Sequence, residues 1–66
     1  MRVGQRVRLV RLATTDKWMR EHVVPLIGGE GTVVGLSETA AMSVLVELDG
    51  GPRPLYFREN EIEEVT

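Results

Sequence analysis

Polar and apolar residues alternate through Leu9 in the segment that begins at residue 5, and residues 43–48 form a second predicted strand, with Val44, Val46 and Leu48 on one face and Leu45 and Glu47 on the other. A period of two is typical of a strand with one buried face. In the first segment it places Val7 and Leu9 inward and leaves Arg6 and Arg8 facing solvent. The phase shifts after Leu9, so the pattern predicts a bend or bulge near residue 10.

Three further strands follow from the same kind of pattern. A glycine-rich turn at 28–31 runs into a β-branched segment and predicts a strand over 30–36, while 53–57 and 62–65 are shorter strands. The sequence at 49–52 is a strong turn signal, and 58–61 is predicted to form one 3₁₀ turn before the last strand. If Leu55 and Phe57 point inward, Tyr56 should point away from the core.

The longest irregular region is the first loop, over residues 13–29. Thr14, Thr15 and Asp16 are residue types that begin helices, and residues 17–22 are predicted to form one or two helical turns. Residues 23–27 are predicted to be extended, and Pro25 excludes a central strand position. A loop this long in a small domain is typically functional or disordered, and Trp18 favours an ordered one.

The composition narrows the class of protein. We expect the 66 residues to form one domain, 1–66, and the absence of cysteine excludes disulfides and thiolate metal sites. No apolar run approaches the roughly 18–20 residues that span a membrane, and residues 1–6 lack the apolar core of a secretory signal. We therefore expect a cytoplasmic protein with no membrane partner.

Three segments carry a resemblance to a known family: VGQRVRL at 3–9, GEGTVV at 29–34 and FRENEIE at 57–63. Together with the order of elements, they resemble the SH3-like small barrel. This superfamily includes KOW-type ribosomal and transcription-factor modules, the small barrel found among the accessory proteins of photosystem I, and the barrel of the nitrile hydratase beta subunit. It implies an all-β fold of five antiparallel strands, with a long first loop and a 3₁₀ turn before the last strand. These motifs specify a barrel and not an activity.

Charge is distributed unevenly along the chain. The net charge is −2, yet residues 1–20 hold six of the eight basic residues while most carboxylates follow later. Such asymmetry can mark a basic face for a polyanion. Because the resemblance implies that the last strand pairs with the first, we instead expect the basic and acidic residues of these two strands to neutralise each other. This pairing would set Arg2, Arg6 and Arg8 across from Glu61, Glu63 and Glu64.

No constellation for catalysis is evident. His22 is the only histidine, the serines have no base at a recognisable spacing, and Asp16, Glu21 and His22 match no metal motif. The glycine turn at 28–31 carries Glu30 where a phosphate would bind, and it leads into a strand. We expect no enzyme activity, no cofactor, no metal and no small-molecule substrate.

A protein-binding module is the preferred function. Trp, Met and Arg are the residue types enriched at interface hot spots. The predicted contact surface for a protein partner, such as an adaptor, inhibitor or accessory subunit, comprises Lys17, Trp18, Met19, Arg20, Arg53, Tyr56 and Arg58. The competing interpretation of Trp18 is that it folds back and closes one end of the barrel. We expect a monomer or a weak homo-oligomer.

Two other functions remain open. A KOW-like RNA- or DNA-binding module would place phosphates on Arg2, Arg6, Arg8, Arg11, Lys17 and Arg20, with an aromatic residue stacking on bases. A weaker alternative is an accessory domain of a larger enzyme complex.

Overall fold

The computed structural model describes residues 1–37 and 44–65. The elements in chain order are β1 (Arg6–Leu9), α1 (Lys17–His22), a first 3₁₀ helix (Val24–Leu26), β2 (Glu30–Leu36), β3 (Val44–Leu48), β4 (Leu55–Phe57), a second 3₁₀ helix (Glu59–Glu61) and β5 (Ile62–Glu64). The predicted connection at 37–42 and the first residue of the predicted strand 43–48 lie outside the described residues, apart from Ser37.

The five strands form one antiparallel sheet in the order β4-β3-β2-β1-β5. β5 pairs with the free side of β1, with Leu9 opposite Ile62 and Arg8 opposite Glu63. β2, β3 and β4 follow one another as neighbours on the other side. The sheet curls into a half-barrel, which confirms the predicted all-β fold of five antiparallel strands in a small barrel.

The core lies on the inner face of the sheet, where alternate residues of each strand meet. Val7 and Leu9 are fully buried, while Arg6 and Arg8 between them are partly exposed, as the alternation predicted. Burying an aliphatic side chain of this size contributes about 1.5–3 kcal/mol relative to leaving it exposed. The core comprises Val7, Leu9, Val23, Val33, Val44, Val46, Leu48, Phe57 and Ile62.

The phase shift after Leu9 has a visible cause in the backbone. The amides of Val10 and Arg11 both donate to the carbonyl of Glu61, at 2.9 and 3.3 Å. Just beyond the end of β1, two successive residues therefore oppose a single residue before β5, which is a bulge-like irregularity. The predicted irregularity near residue 10 is confirmed.

A second irregularity was not predicted. In the ladder between β2 and β3, Val33 pairs with Val46 but Gly35 pairs with Leu45, so β2 carries one extra residue, Val34. Val33 is buried and Val34 is 40% exposed. The bulge therefore leaves an apolar side chain on the outer face of the sheet.

Residues 23–27 were predicted to be extended, and this was wrong. Val24–Leu26 forms a 3₁₀ helix with Pro25 in its first turn, and the amides of Leu26 and Ile27 donate to the carbonyls of Val23 and Val24. Proline suits this position because its fixed φ is helical and its missing N–H has no helical partner there. Val23 is fully buried, so the turn anchors the first loop in the core.

Glu61 has a structural role that excludes its predicted place opposite an arginine. It is only 7% exposed, its Oε1 accepts the backbone N–H of Arg58 at 2.8 Å, and its own N–H donates to the Arg58 carbonyl. Its carboxylate thus closes the turn that leads into β5. A buried carboxylate needs such hydrogen bonds to offset its lost hydration.

Candidate partner-binding surface

Helix α1 packs against the core and positions the first group of predicted contact residues. Asp16 begins it, because its side chain accepts the backbone N–H of Met19 at 3.1 Å. Trp18 and Met19 are partly buried and pack against the core. Arg20, one residue further, is exposed. The helix therefore has a core-facing side and a basic solvent-facing side.

Trp18 is held in place by two neighbours. The ring of His22, one helical turn later, stacks on it with centroids 5.0 Å apart and planes 18° apart. The guanidinium carbon of Arg53 lies 4.6 Å from the Trp18 ring centroid, which is a cation–π contact. Trp18 thus contacts the core and also contributes to the surface, so each of the two sequence interpretations describes part of its position.

Tyr56 lies on the other side of the sheet. Phe57 is fully buried and Leu55 packs against the core, whereas Tyr56 is 47% exposed. This confirms that its side chain points away from the core. Since Trp18 packs against the inner side, the structure does not bring these two aromatic residues into one surface.

The predicted contact residues therefore fall into two groups. The first, here called the helix surface, comprises Lys17, Trp18, Met19, Arg20 and Arg53. The second comprises Tyr56 and Arg58 on the outer face of the sheet. Lys17 lies 3.8 Å from Glu21 with 82% of its side chain exposed. Within residues 1–37 and 44–65, no carboxylate forms a salt bridge with Arg20, Arg53 or Arg58.

The arginines of β1 are engaged within the chain. Arg6 forms a two-point contact with Asp49 and donates to Thr32 Oγ1 at 2.9 Å. Glu30 lies 3.5 Å from Arg6 and 3.3 Å from Arg8. The hydrogen bond from Arg6 lowers the pKa of Asp49 below its ordinary value, and the same bond raises the pKa of Arg6.

The predicted neutralisation between the first and last strands is correct for one pair. Arg8 lies opposite Glu63, with 3.8 Å between Nη1 and Oε1. Arg6 instead finds its carboxylates across β2, because it pairs with Thr32 there and the turn holding Asp49 is bonded back to Glu30.

Half of the set predicted for nucleic-acid binding is already engaged within the chain. Arg6 and Arg8 share carboxylates, and Arg11 donates to the carbonyl of Asn60. Cations held beside carboxylates attract phosphates weakly, because their field is already compensated.

Other kinds of site are not found in the part of the chain that the structure describes. There, no group of three or more His, Asp or Glu residues could hold a metal ion. Nor do those residues form a pocket. Among the same residues, no helix is long and apolar enough to cross a membrane.

An apolar group on the outer face was missed by the sequence reasoning. Leu45 pairs with Tyr56 on one side and with Gly35 on the other. Val34 lies next to Gly35 and is exposed because of the bulge. The alternation placed Leu45 and Tyr56 away from the core, but not Val34, since the bulge leaves no mark in the hydrophobic pattern.

These features define a class of protein: a small all-β half-barrel with exposed aromatic, apolar and basic side chains. No family model and no curated protein matches the sequence. Among solved structures, it is similar to the solution structure of the cyanobacterial cytochrome b6f complex subunit PetP. The TM-score is 0.72 at 26% identity, and the match covers 100% of this chain and 81% of that chain.

Proposed function

We propose that this chain is a non-enzymatic, protein-binding subunit of a larger assembly, built on an SH3-like barrel. The observation that carries the proposal is the similarity to PetP over the whole of this chain, since PetP is named as a subunit of a multi-protein complex. The pairing of β5 with β1 supports the SH3-like assignment. The cytoplasmic location stays a prediction from composition.

The helix surface is the contact region we propose for the partner. Arg53 and His22 hold the Trp18 ring in one orientation before any partner arrives. An ordered aromatic side chain loses little conformational entropy on binding, which favours affinity. Arg20 and Arg53 have no salt-bridge partner among the described residues, so they can complement acidic groups around an apolar anchor.

Native electrophoresis of extracts from the native host tests this proposal. A tagged wild-type chain should migrate with a species far larger than its own 7.4 kDa. Subunits of a cytochrome b6f complex are the first proteins to seek in that band. Arg53→Glu should reduce the comigrating fraction about tenfold, because it removes the cation–π contact and reverses a rim charge. Trp18→Ala should do so as well, with circular dichroism checking that it folds.

Val3→Ser is the control, because Val3 is an exposed apolar residue outside the helix surface. It should leave the comigration unchanged. Migration of the wild type as an isolated chain in every fraction would contradict the proposal. A large species that disappears on nuclease treatment would favour the RNA- or DNA-binding alternative instead.

A further inference from the structure

We infer that the outer face of β2, β3 and β4 is a homodimer surface, covered by the same face of a second copy of this chain. The inference goes beyond the proposed function, which uses the helix surface on the inner side. It depends on the register of the strands and on the charges that flank the apolar residues.

The centre of the face is an apolar row that crosses three strands. Gly35, Leu45 and Tyr56 are direct neighbours in the two ladders, and Val34 adjoins Gly35 at the bulge. A Cβ built on Gly35 would lie 3.3 Å from Leu45 Cδ2, so the Leu45 side chain leans over the glycine on this face. Val34 and Tyr56 are 40% and 47% exposed. The row is therefore continuous and open to solvent.

Opposite charges lie at the two ends of this face. Glu47 is two residues beyond Leu45 on β3, and Arg58, in extended backbone just after the end of the antiparallel β4, is two residues beyond Tyr56. Two residues of a strand span about 6.6 Å, so the two side chains lie on opposite sides of the apolar row. Both are exposed. Neither forms a salt bridge within residues 1–37 and 44–65, unlike the paired charges of β1.

This arrangement is self-complementary about a two-fold axis. The axis lies between the two contacting faces and runs at right angles to the strands. Rotation about it reverses the direction of each strand and leaves that strand opposite its own copy. Tyr56 then meets Tyr56, and Leu45 meets Leu45. Glu47 of one copy then lies at the same end of the apolar row as Arg58 of the second copy. The two residues are on adjacent strand positions, so they are offset sideways by about 4.8 Å.

The charge pattern is what selects a second copy as the occupant. In a two-fold contact the pair of Glu47 with Arg58 of the other copy occurs twice. The same face therefore supplies both the negative and the positive charge of the contact. A foreign partner would have to carry this pattern by coincidence. The apolar row is small, and interfaces well below about 1,000 Å² are weak, so we expect a dissociation constant between about 0.1 and 1 mM.

Sedimentation equilibrium up to about 1 mM chain tests the dimer. The wild type should show reversible dimerisation. Glu47→Arg and Arg58→Glu should each weaken it about tenfold, since each turns two attractive pairs into repulsive ones. The double variant should return to within about threefold of the wild type, because it restores both pairs with their signs exchanged.

Two controls match the charge changes. Glu64→Arg makes the same change as Glu47→Arg at the opposite edge of the sheet, on β5. Arg2→Glu makes the same charge change as Arg58→Glu at an exposed residue before β1, outside β2, β3 and β4. Both should dimerise like the wild type. A wild type that stays monomeric up to about 1 mM, or a double variant no better than the single variants, would overturn the inference.

The absence of native cysteine allows a second measurement. Oxidising an equal mixture of the Glu47→Cys and Arg58→Cys chains should give the mixed disulfide in clear excess over its share under random pairing, because the proposed axis brings position 47 beside position 58. A mixed yield at or below the random share would count against that axis. The helix-surface variant Arg53→Glu should not change dimerisation, so this inference and the proposed function can fail independently.

Discussion

Replacing Gly31 with alanine should strongly destabilise the protein, although it adds only one methyl group. Gly31 pairs with Leu48 at the junction of β2 and β3. A Cβ at this position would lie 2.5 Å from the carbonyl oxygen of Glu47 and 2.9 Å from Leu48 Cα. Both atoms belong to the backbone of the neighbouring strand, so no side-chain rotation can relieve the contact.

The size of the effect follows from that geometry. Ordinary contacts at Cβ begin near 3.4 Å, so β2 and β3 would have to separate by almost an ångström. Overpacking of this kind costs about 1–3 kcal/mol, and we expect the upper end because backbone has to move. A domain of this size has a free energy of unfolding of about 3–10 kcal/mol. A loss of about 3 kcal/mol would lower the melting temperature by about 10–25 °C.

Gly35→Ala on the same strand is the matched control. Its added Cβ would lie 3.3 Å from a Leu45 side chain that can rotate, and neither glycine has a positive φ. Gly35→Ala should lower the free energy of unfolding by less than about 1 kcal/mol. Alanine restricts the unfolded chain more than glycine does, and this offsets part of the loss from the closer contact. Urea unfolding followed by Trp18 fluorescence measures both variants. Equal midpoints for the two alanine variants would refute the close-approach argument.

Three further predictions concern stability. Phe57→Ala should lower the free energy of unfolding by about 3–5 kcal/mol, while Tyr56→Ala next to it should change it by less than about 1 kcal/mol; similar urea midpoints would contradict the assigned burial. Asp16→Ala should cost about 0.5–2 kcal/mol by removing the cap of α1, and Asp16→Asn should cost less; equal losses in thermal melts would contradict the capping role. The pKa of Asp49 is lowered by Arg6, so its contribution to stability is present above its ordinary pKa and is lost as pH falls through the lowered value. In Asp49→Asn, the free energy of unfolding should therefore fall less steeply with decreasing pH below about pH 4 than in the wild type. The same steepness in both proteins would contradict this.

Local patterns were sufficient for most of the elements. A period of two in the apolar residues located β1 and β3, and of the three candidate N-caps, Thr14, Thr15 and Asp16, the structure uses Asp16. Pro25 was misinterpreted because proline is compatible with both an extended segment and the first turn of a helix. Val23, just before the 3₁₀ helix, is fully buried, and this tertiary contact cannot be seen in the local pattern.

Features that depend on distant residues could not be predicted from local patterns. The pair of Arg6 and Asp49 joins residues far apart in the sequence through β2. The bulge at Val34 depends on the register against β3, which the composition of β2 does not specify. The division of the contact residues between two sides of the sheet depends on where α1 docks. Arg53 could be assigned to the helix surface only once its contact with Trp18 was seen.

The place of β5 beside β1 has a consequence for how the chain folds during synthesis. Leu9 pairs with Ile62, about 50 residues later, and closing so long a loop slows folding relative to local pairings. Until the ribosome has released Ile62–Glu64, β1 has an unpaired edge and the core lacks one of its members. An open edge of this kind can pair with other chains. The edge of β1 therefore stays open to pairing with other chains until β5 has emerged.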